Sequence, residues 1–349
     1  MKRHLSLLAL LLPALAGCGG SGDALLSAEG SQNIHLHPDS TGAWVVLAHY
    51  YGVEGRLLHV GPEGLPDEDY APFDSAAPGT YHFHASGDAL LLIAYEGSGA
   101  RLHHRRDGIW TRSSTLPATG RADYGYGGGW LWYRDVDDHW TGHMVGEAGR
   151  LGAPLRFEGA STDVISSGLT GVVIARRAGS TLSSFTRRSS TGEEVPITGS
   201  FDLHQKMRIL RDGTLLAYGH HTETHTAAIT LAVAPLDEPM TEVSLPAPDG
   251  RSFSRVIEVA GTSLEDLWML RVDYDGHNCG SLNLFTCDSS EAGDGTLRLM
   301  HSDGSSWSEV DALASGSGSR FFGTPSLAEL GVGSVLLALE REVSRYVAP

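Results

Sequence analysis

Positive charge and long helical patterns are both scarce in this chain of 349 residues. Lys and Arg number 25 against 42 Asp and Glu, so the formal net charge is -17 at pH 7. A surface this acidic argues against nucleic acid, or an anionic membrane surface, as a partner. The chain instead contains 44 glycines, and this composition suits many short strands joined by tight turns.

Local signatures of catalysis are also missing. The sequence has no Gly-x-Ser-x-Gly, no His-Glu-x-x-His, no glycine-rich phosphate loop followed by Lys, and no Cys-x-x-Cys. No catalytic residue can therefore be assigned from the sequence. These absences do not exclude an enzyme, because a site assembled from separate loops needs no local motif.

The N-terminus has the layout of a secretory signal. Lys2 and Arg3 precede an apolar run at 5–15, which is too short to cross a bilayer. The run ends in Leu15-Ala16-Gly17-Cys18, which resembles the bacterial lipobox. That resemblance implies a signal peptide at 1–17, cleaved before Cys18, with lipid attached to the sulfur and the new amine of Cys18.

Residues after the lipobox indicate the destination of the protein. Gly19 replaces the Asp that tends to retain lipoproteins in the inner membrane of enteric bacteria. We therefore expect an outer-membrane lipoprotein that faces the periplasm or the cell surface. Most of the segment 18–33 is small and polar, and we interpret it as a lipidated tether. The folded domain is then expected at 34–349.

An internal repeat organises the rest of the chain, and its clearest copy runs from Tyr81 to Pro117. This copy contains four strand-like segments separated by turns, among them the continuous apolar run from Ala89 to Tyr95. Four short strands of this kind form one blade of a β-propeller, which cannot bury its faces without neighbours. The copies align on a glycine before each second strand: Gly42, Gly87, Gly128, Gly171, Gly213, Gly261 and Gly333.

The spacing of these glycines predicts the fold. Five steps fall between 41 and 48 residues, and the last step of 72 contains an insertion. We therefore predict an all-β protein, a β-propeller of seven four-stranded blades. Two β-sandwiches are an alternative, although the even spacing and the lack of a linker weigh against them.

The last copy of the repeat predicts how the ring closes. It supplies only three strands before Pro349, so we expect an N-terminal segment such as Ala24 to Ser31 to complete its outer edge. Deleting that segment should lower the melting temperature by several degrees. Deleting the equally long stretch from Pro62 to Asp69, which we place in a loop, should cost less.

The two remaining cysteines, Cys279 and Cys287, are expected to form a disulfide after export. Such a bond would stabilise by about 2–3 kcal/mol in the chain-entropy model and would hold the insertion at 273–294. A metal thiolate pair is an alternative, but the spacing is not that of zinc sites. Asp273-Tyr274-Asp275-Gly276 could offer oxygens to calcium, whereas a solvated turn is the simpler interpretation.

Histidines are the other candidate ligands. His35 and His37 share a face of the first copy's inner strand, and His82 and His84 share a face of the second copy's inner strand. Neighbouring inner strands could bring these imidazoles together near the channel, where Cu or Zn could bind. Packed or solvated histidines are the alternative, and we expect no cofactor otherwise.

Several further motifs have both a functional and a structural interpretation. Asp303-Gly304-Ser305-Ser306-Trp307 resembles the Asp-box turn of sialidase-like propellers, which supports the fold and implies no sialidase chemistry. The loop at 135–140 could seat a sugar or a cation, or be a solvated hairpin tip. A second histidine cluster contains His221, Glu223 and His225, and the arginine pairs Arg105-Arg106, Arg176-Arg177 and Arg187-Arg188 are interpreted as solvated strand edges.

Together, the lipobox and the repeat pattern resemble those of bacterial outer-membrane propeller lipoproteins. The resemblance implies a lipid-anchored binding or scaffolding module whose partners are the membrane, through the lipid, and an envelope protein or glycan. The alternatives are an extracellular enzyme that acts on carbohydrate or peptide at the channel mouth, and a His-based metal-binding protein. An enzyme should show ionisable side chains converging at one end of the channel, and a scaffold an exposed apolar patch on a face or rim.

Overall fold

A computed structural model describes 28 strands and part of the connections between them. The described residues are 22–27, 32–49, 56–70, 81–86, 89–96, 99–106, 109–116, 124–127, 130–134, 139–146, 149–157, 164–168, 171–178, 181–188, 193–199, 206–220, 229–235, 238–243, 245–246, 253–274, 294–317 and 325–349. Within these ranges, no helix has the length and hydropathy of a membrane span.

The described strands form seven four-stranded antiparallel sheets, numbered here in chain order. Sheet 1 contains β2 (Gln32–Pro38), β3 (Ala43–His49), β4 (Arg56–Val60) and β5 (Pro66–Tyr70). Sheet 2 contains β6 (Tyr81–Ser86), β7 (Ala89–Glu96), β8 (Gly99–Arg106) and β9 (Ile109–Leu116). Sheet 3 contains β10 (Tyr124–Gly127), β11 (Trp130–Arg134), β12 (Trp140–Val145) and β13 (Leu151–Phe157). Sheet 4 contains β14 (Val164–Gly168), β15 (Gly171–Ala178), β16 (Thr181–Arg188) and β17 (Glu194–Ile197).

The last three sheets complete this series. Sheet 5 contains β18 (Lys206–Ile209), β19 (Leu215–His220), β20 (Ile229–Ala234) and β21 (Thr241–Val243). Sheet 6 contains β22 (Phe253–Ser263), β23 (Asp266–Tyr274), β24 (Asp294–Ser302) and β25 (Trp307–Ser317). Sheet 7 contains β26 (Ser326–Gly331), β27 (Ser334–Leu339), β28 (Glu342–Val347) and, from the other end of the chain, β1 (Asp23–Ser27).

The sheets follow one another around a common axis. In sheets 1 to 5, the first strand of each sheet lies beside the first strand of the next: β2, β6, β10, β14 and β18. The first strand of sheet 6, β22, packs against β19 of sheet 5 and β26 of sheet 7. Strand β26 then lies against β2, so sheet 7 adjoins sheet 1. The predicted all-β propeller is therefore confirmed, and the alternative of two β-sandwiches is wrong.

The apolar second strands account for the core. They are covered on both faces, because each sheet packs between two neighbours. One cluster joins sheets 1 and 7, where Val45 and Leu47 pack with Leu336 and with the partly buried Leu25 and Leu26 of β1. Similar clusters fill the spaces between sheets 4 and 5, 5 and 6, and 6 and 7.

Strand β1 closes the ring as the sequence predicts. It pairs antiparallel with β28, with Asp23 opposite Arg345 and Ser27 opposite Glu342. The Arg345 guanidinium also donates to the carbonyl oxygens of Glu63 (3.0 Å) and Pro62 (3.1 Å) in the turn between β4 and β5. Both ends of the chain thus contribute to one sheet, and that sheet is joined to sheet 1.

Two boundaries of the sequence prediction need correction. Residues 23–27 form a strand, and β2 begins at Gln32, so part of the segment 18–33 belongs to the propeller and is not a free tether. The stretch from Pro62 to Asp69 is not a loop, because its second half lies in β5, the outer strand of sheet 1. Its deletion is therefore no neutral control for the deletion of β1.

The antiparallel order gives the ring two distinct faces. The turn face carries the turns between first and second strands and those between third and fourth strands. Turns of different sheets contact one another here: Asp212 N donates to Thr262 O (3.2 Å), and Gly333 N donates to Asp266 Oδ1 (3.1 Å). The opposite face, named the connection face, carries the turns between second and third strands and the connections between sheets.

Candidate functional site in the central channel

Four charged side chains and the phenol of Tyr218, from three sheets, meet beside the ring axis, in a group named the channel cluster: Lys206, Arg208, Tyr218, Glu258 and Glu329. Strand β18 positions the cations by alternation. Met207 and Ile209 pack into the core between sheets 4 and 5, so Lys206 and Arg208 point to the opposite side. There they meet the inner strands of sheets 6 and 7.

Arg208 is the centre of the channel cluster. Its Nη1 lies 3.4 Å from Glu258 Oε1 of β22 and 3.0 Å from the Leu327 carbonyl of β26. Its Nη2 lies 3.2 Å from Glu329 Oε2. One guanidinium therefore connects sheet 5 to sheets 6 and 7, and it neutralises a Glu329 side chain that is almost fully buried.

Lys206 and Tyr218 complete the arrangement around Glu258. The Tyr218 hydroxyl donates to Glu258 Oε1 at 3.0 Å. Lys206 Nζ lies 3.6 Å from Glu258 Oε2 and donates to the Ile257 carbonyl at 2.9 Å. Glu258 Oε1 thus accepts hydrogen bonds, and Oε2 is paired with the Lys206 charge at ion-pair distance.

The electrostatics follow from burial. Desolvation raises the pKa of Glu329 above its ordinary value, although Arg208 opposes the shift. Burial acts to lower the pKa of Arg208, but Glu329 and Glu258 raise it above its ordinary value. Burial and the neighbouring Glu258 raise the pKa of Tyr218 well above its ordinary value. The phenol and the guanidinium are therefore protonated at neutral pH, and neither is prepared to accept a proton.

This pairing limits the chemistry of the channel cluster. A general base or nucleophile needs a side chain whose lone pair can reach a substrate. The carboxylates of the cluster instead accept from partners within the same cluster. The arrangement thus resembles a cross-sheet clamp more than a set of catalytic groups, although ionisable side chains do converge here.

A repeated unit of Asp, His and Trp was missed from the sequence. In sheet 1, Asp39 accepts from Trp44 Nε1 at 2.8 Å and lies 3.3 Å from His59 Nε2, and the Trp44 and His59 rings are 5.0 Å apart. In sheet 6, Asp266 lies 3.0 Å from His301 Nε2, and the rings of His301 and Trp268 are 4.6 Å apart.

Register explains why these units recur. Trp44 stands directly opposite His59, and Trp268 stands directly opposite His301. Burial acts to raise the pKa of Asp39, but hydrogen bonds from His59 and Thr41 hold that pKa at about 2. A recurring Trp on the second strand, with His on the third, was the signal available in the sequence.

A second buried polar cluster lies in sheet 6 at the root of the insertion. Asp273 Oδ2 accepts from Arg271 at 2.9 Å and lies 3.2 Å from Arg298 Nε, while Oδ1 accepts from the Ser254 hydroxyl. Both oxygens of this fully buried carboxylate are therefore engaged by protein donors. Two guanidinium groups already lie against Asp273, and Asp275 and Gly276 lie outside the described residues, so calcium binding at this turn stays a prediction.

The predicted histidine ligands are only partly described. Strands β2 and β6 adjoin, as the proposal requires. His35 is exposed and His37 half-buried on β2, whereas the side chains of His82 and His84 lie outside the described residues. Among the residues that the structure describes, no three His, Cys, Asp or Glu side chains form a group that could hold a metal ion. Copper or zinc binding stays a prediction.

Three of the six paired arginines are not solvated edges, which corrects the sequence interpretation for those three. Arg105 of sheet 2 lies over the Trp44 ring of sheet 1 at 5.2 Å, and Arg188 of sheet 4 lies over the Trp132 ring of sheet 3 at 5.6 Å. Arg187 donates to the Gly213 carbonyl of sheet 5 at 2.7 Å. These side chains join neighbouring sheets, partly by cation–π contact. Arg106 and Arg176 are exposed as expected.

The Asp-box-like turn has the geometry that its sequence suggests. Asp303 Oδ1 accepts from the backbone N–H groups of Ser305 and Ser306, both at 2.9 Å. These hydrogen bonds, with that of the Ser305 hydroxyl, lower the pKa of Asp303 to about 2. Trp307 packs against the core between sheets 5 and 6. The turn is structural.

Other predicted residues cannot be placed. Cys18, Cys279 and Cys287, the His221 cluster and most of the loop at 135–140 lie outside the described residues. Lipid attachment and the disulfide therefore stay predictions.

Comparisons with known proteins support the fold and nothing finer. No family model and no curated protein matches the chain. Similar solved structures include YCF48 from Cyanidioschyzon merolae, with 11% identity, a TM-score of 0.50 and coverage of 93% of this chain and 99% of that one. Hsv2 from Kluyveromyces lactis has 8% identity, a TM-score of 0.53 and coverage of 89% and 91%. U3-55K has 9% identity, a TM-score of 0.50 and coverage of 93% and 98%.

Proposed function

We propose that this protein is a lipid-anchored binding or scaffolding module of the bacterial cell envelope, a ring of seven blades that presents its connection face to an envelope protein or glycan. The observation that carries the proposal is the point where the chain enters the fold. Asp23 pairs with Arg345 near the end of β28, so the chain enters at the turn face. Cys18, the residue to be lipidated, precedes Asp23 by five positions.

The position of β1 sets the orientation of the ring. A lipid on Cys18 would hold the turn face near the outer membrane and direct the connection face away from it. Loops positioned by a rigid scaffold are where binding residues commonly lie. The internally paired channel cluster supports binding over catalysis, because its charged groups already satisfy one another.

The anchor is tested by changing Cys18 to Ala. The parent should sediment with outer membranes in a density gradient, and its N-terminal peptide should carry the mass of attached lipid. The variant should leave the membrane fraction after carbonate washing, which removes peripheral proteins. Ser21→Ala, a change in the same segment, is the matched control and should behave as the parent. A Cys18→Ala protein that still bands with outer membranes would rule out the lipid anchor.

The direction of the ring is tested by photocrosslinking in cells. Arg341 lies in the turn between β27 and β28 on the connection face, and Asp303 lies on the turn face; both are exposed. A benzoylphenylalanine at Arg341 should yield adducts with an envelope protein or glycan, whereas the same probe at Asp303 should not. Adducts from Asp303 alone would reverse the assignment of the binding face.

A further inference from the structure

We propose that the turn face rests on the bilayer itself, with exposed apolar side chains of its turns immersed among the lipid headgroups. This inference rests on the proposed lipid anchor at Cys18. It adds a second membrane contact, made by the folded ring.

The turn face carries a group of exposed apolar side chains, named the apolar rim: Leu65, Ile109, Met144, Val332 and Val347. Their exposed fractions are 68%, 67%, 48%, 84% and 55%. Scattered exposed hydrophobic residues are normal on any protein surface. Here their common location needs an explanation.

Topology places every member of the apolar rim on the turn face. Leu65 lies in the turn between β4 and β5, Ile109 begins β9, and Val332 lies in the turn between β26 and β27. Val347 is opposite Ser334, the first residue of β27, and Met144 is opposite Trp130, the first residue of β11. Of the other large exposed apolar residues of the described ranges, Val195 is the second residue of the outer strand β17 in sheet 4 and also lies near the turn face, whereas Leu155 lies within the outer strand β13, farther from that face.

The apolar rim is confined to one arc of the ring. Its members belong to sheets 7, 1, 2 and 3, which are consecutive because sheet 7 adjoins sheet 1. The N-terminal strand enters in the same arc, since β1 belongs to sheet 7. The proposed anchor therefore leaves the fold at one end of this arc of apolar side chains.

The reach of the anchor identifies lipid as the occupant of this face. Gly22 lies directly against the Tyr346 ring, where a Cβ would overlap three ring carbons. Only three residues separate Gly22 from Cys18, and the four residue-to-residue steps between them span at most about 14 Å when fully extended. If the lipid on Cys18 is inserted in the membrane, so short a segment leaves little space between the turn face and the bilayer.

Charge indicates the kind of membrane surface. The formal charge of -17 disfavours electrostatic attraction to anionic headgroups. Contact must therefore come from apolar burial at the interface, as in monotopic membrane proteins. Phosphatidylcholine vesicles, which are zwitterionic, are the appropriate probe.

The experiment uses the full mature protein, lipidated at Cys18 and reconstituted into phosphatidylcholine vesicles. In a Cys279→Ser/Cys287→Ser background, an environment-sensitive nitrobenzoxadiazole dye is attached to Leu65→Cys or Val332→Cys. Arg341→Cys, which is exposed on the connection face, is the matched control. The dyes at Leu65 and Val332 should shift to the blue, brighten several-fold and be quenched by brominated lipid, while the dye at Arg341 should not change.

The outcomes separate this inference from the proposed function. If mass spectrometry finds no lipid on Cys18, the proposed function and this inference both fall. If Cys18 is lipidated and the three dyes behave alike, the anchor stands and the bilayer contact falls. A blue shift at Val332 that appears without vesicles, and grows with protein concentration, would assign the apolar rim to a second copy of the chain and overturn the inference. Because Leu65 and Val332 are exposed, the labelled proteins should melt as the unlabelled Cys279→Ser/Cys287→Ser protein does.

Discussion

Replacing Arg208 by Met should be among the most destabilising single changes in the described part of the ring. Met keeps much of the apolar stem but removes the guanidinium that joins three sheets. Glu329, which is 4% exposed, and the Leu327 carbonyl would then lose their partner. Leaving one member of a buried ion pair uncompensated costs about 3–5 kcal/mol. At about 2 °C for each kcal/mol in a protein of this size, the melting temperature should fall by roughly 6–10 °C.

Urea denaturation at pH 7 measures the effect, and Lys206→Met is the matched control. Lys206 lies on the same strand face, but its side chain is 47% exposed, so its loss should cost less than about 1 kcal/mol. Adding Glu329→Gln to Arg208→Met should recover part of the loss, since the buried charge is then gone. If Lys206→Met costs as much as Arg208→Met, or if Glu329→Gln recovers nothing, the clamp is not electrostatic.

The pH dependence gives an independent check. Burial already raises the pKa of Glu329, and removal of Arg208 should raise that pKa further. A carboxyl whose pKa is raised in the folded state destabilises the protein by its full amount above that folded pKa. It does not destabilise the protein below the ordinary pKa of the group, 4.5. The cost of Arg208→Met should therefore shrink as the pH falls from neutrality toward 4.5. A cost independent of pH would show that lost packing dominates.

Three further changes test other parts of the ring. Gly142→Ala should lower the free energy of unfolding in urea by about 1–3 kcal/mol, because its Cβ would overlap the buried Trp132 ring. The control Gly152→Ala should change that free energy by less than about 0.5 kcal/mol. Equal effects would contradict the packing argument. Burial acts to lower the pKa of His59, but the carboxylates of Asp39 and Asp67 raise it above its ordinary value. The parent should therefore be more stable than His59→Gln by its full margin below pH 6.5, and the margin should decline as the pH rises through the folded pKa. A margin that does not change with pH would refute this. Glu340 has φ of 55°, so Glu340→Gly should raise the unfolding free energy by about 0.5–1 kcal/mol, and an unchanged melting curve would show that no strain is stored there.

The fold was predictable because its repeat is marked by turn geometry. Gly213 and Gly333 have φ of 92° and 69°, and side-chain-bearing residues rarely adopt these values. Gly261 has no such φ, but an added Cβ there would overlap the Asp266 carbonyl oxygen, so glycine recurs at this turn for more than one reason and reveals the spacing of the sheets. Strand β7, Ala89–Glu96, begins at the first residue of the predicted apolar run and extends one residue beyond its last, Tyr95.

The channel cluster could not be predicted in the same way. Arg208, Glu258 and Glu329 come from three different sheets, and no local spacing relates them. Only the closed ring brings their strands together. Arg105 and Arg188 were misjudged for a related reason, because alternation predicts the face of a strand but not the ring that the neighbouring sheet places there.

The pairing of β1 with β28 has a consequence for how the protein is made. β1, the first strand of the fold, cannot pair until β28, the last strand, has been synthesised, whereas β28 also pairs with β27. Contacts between such distant positions are slow to form, and unpaired strand edges are prone to associate with other chains in the meantime. Sheet 7 should therefore be the last to fold, and chains that stop short of Glu342 should be aggregation-prone and rapidly degraded.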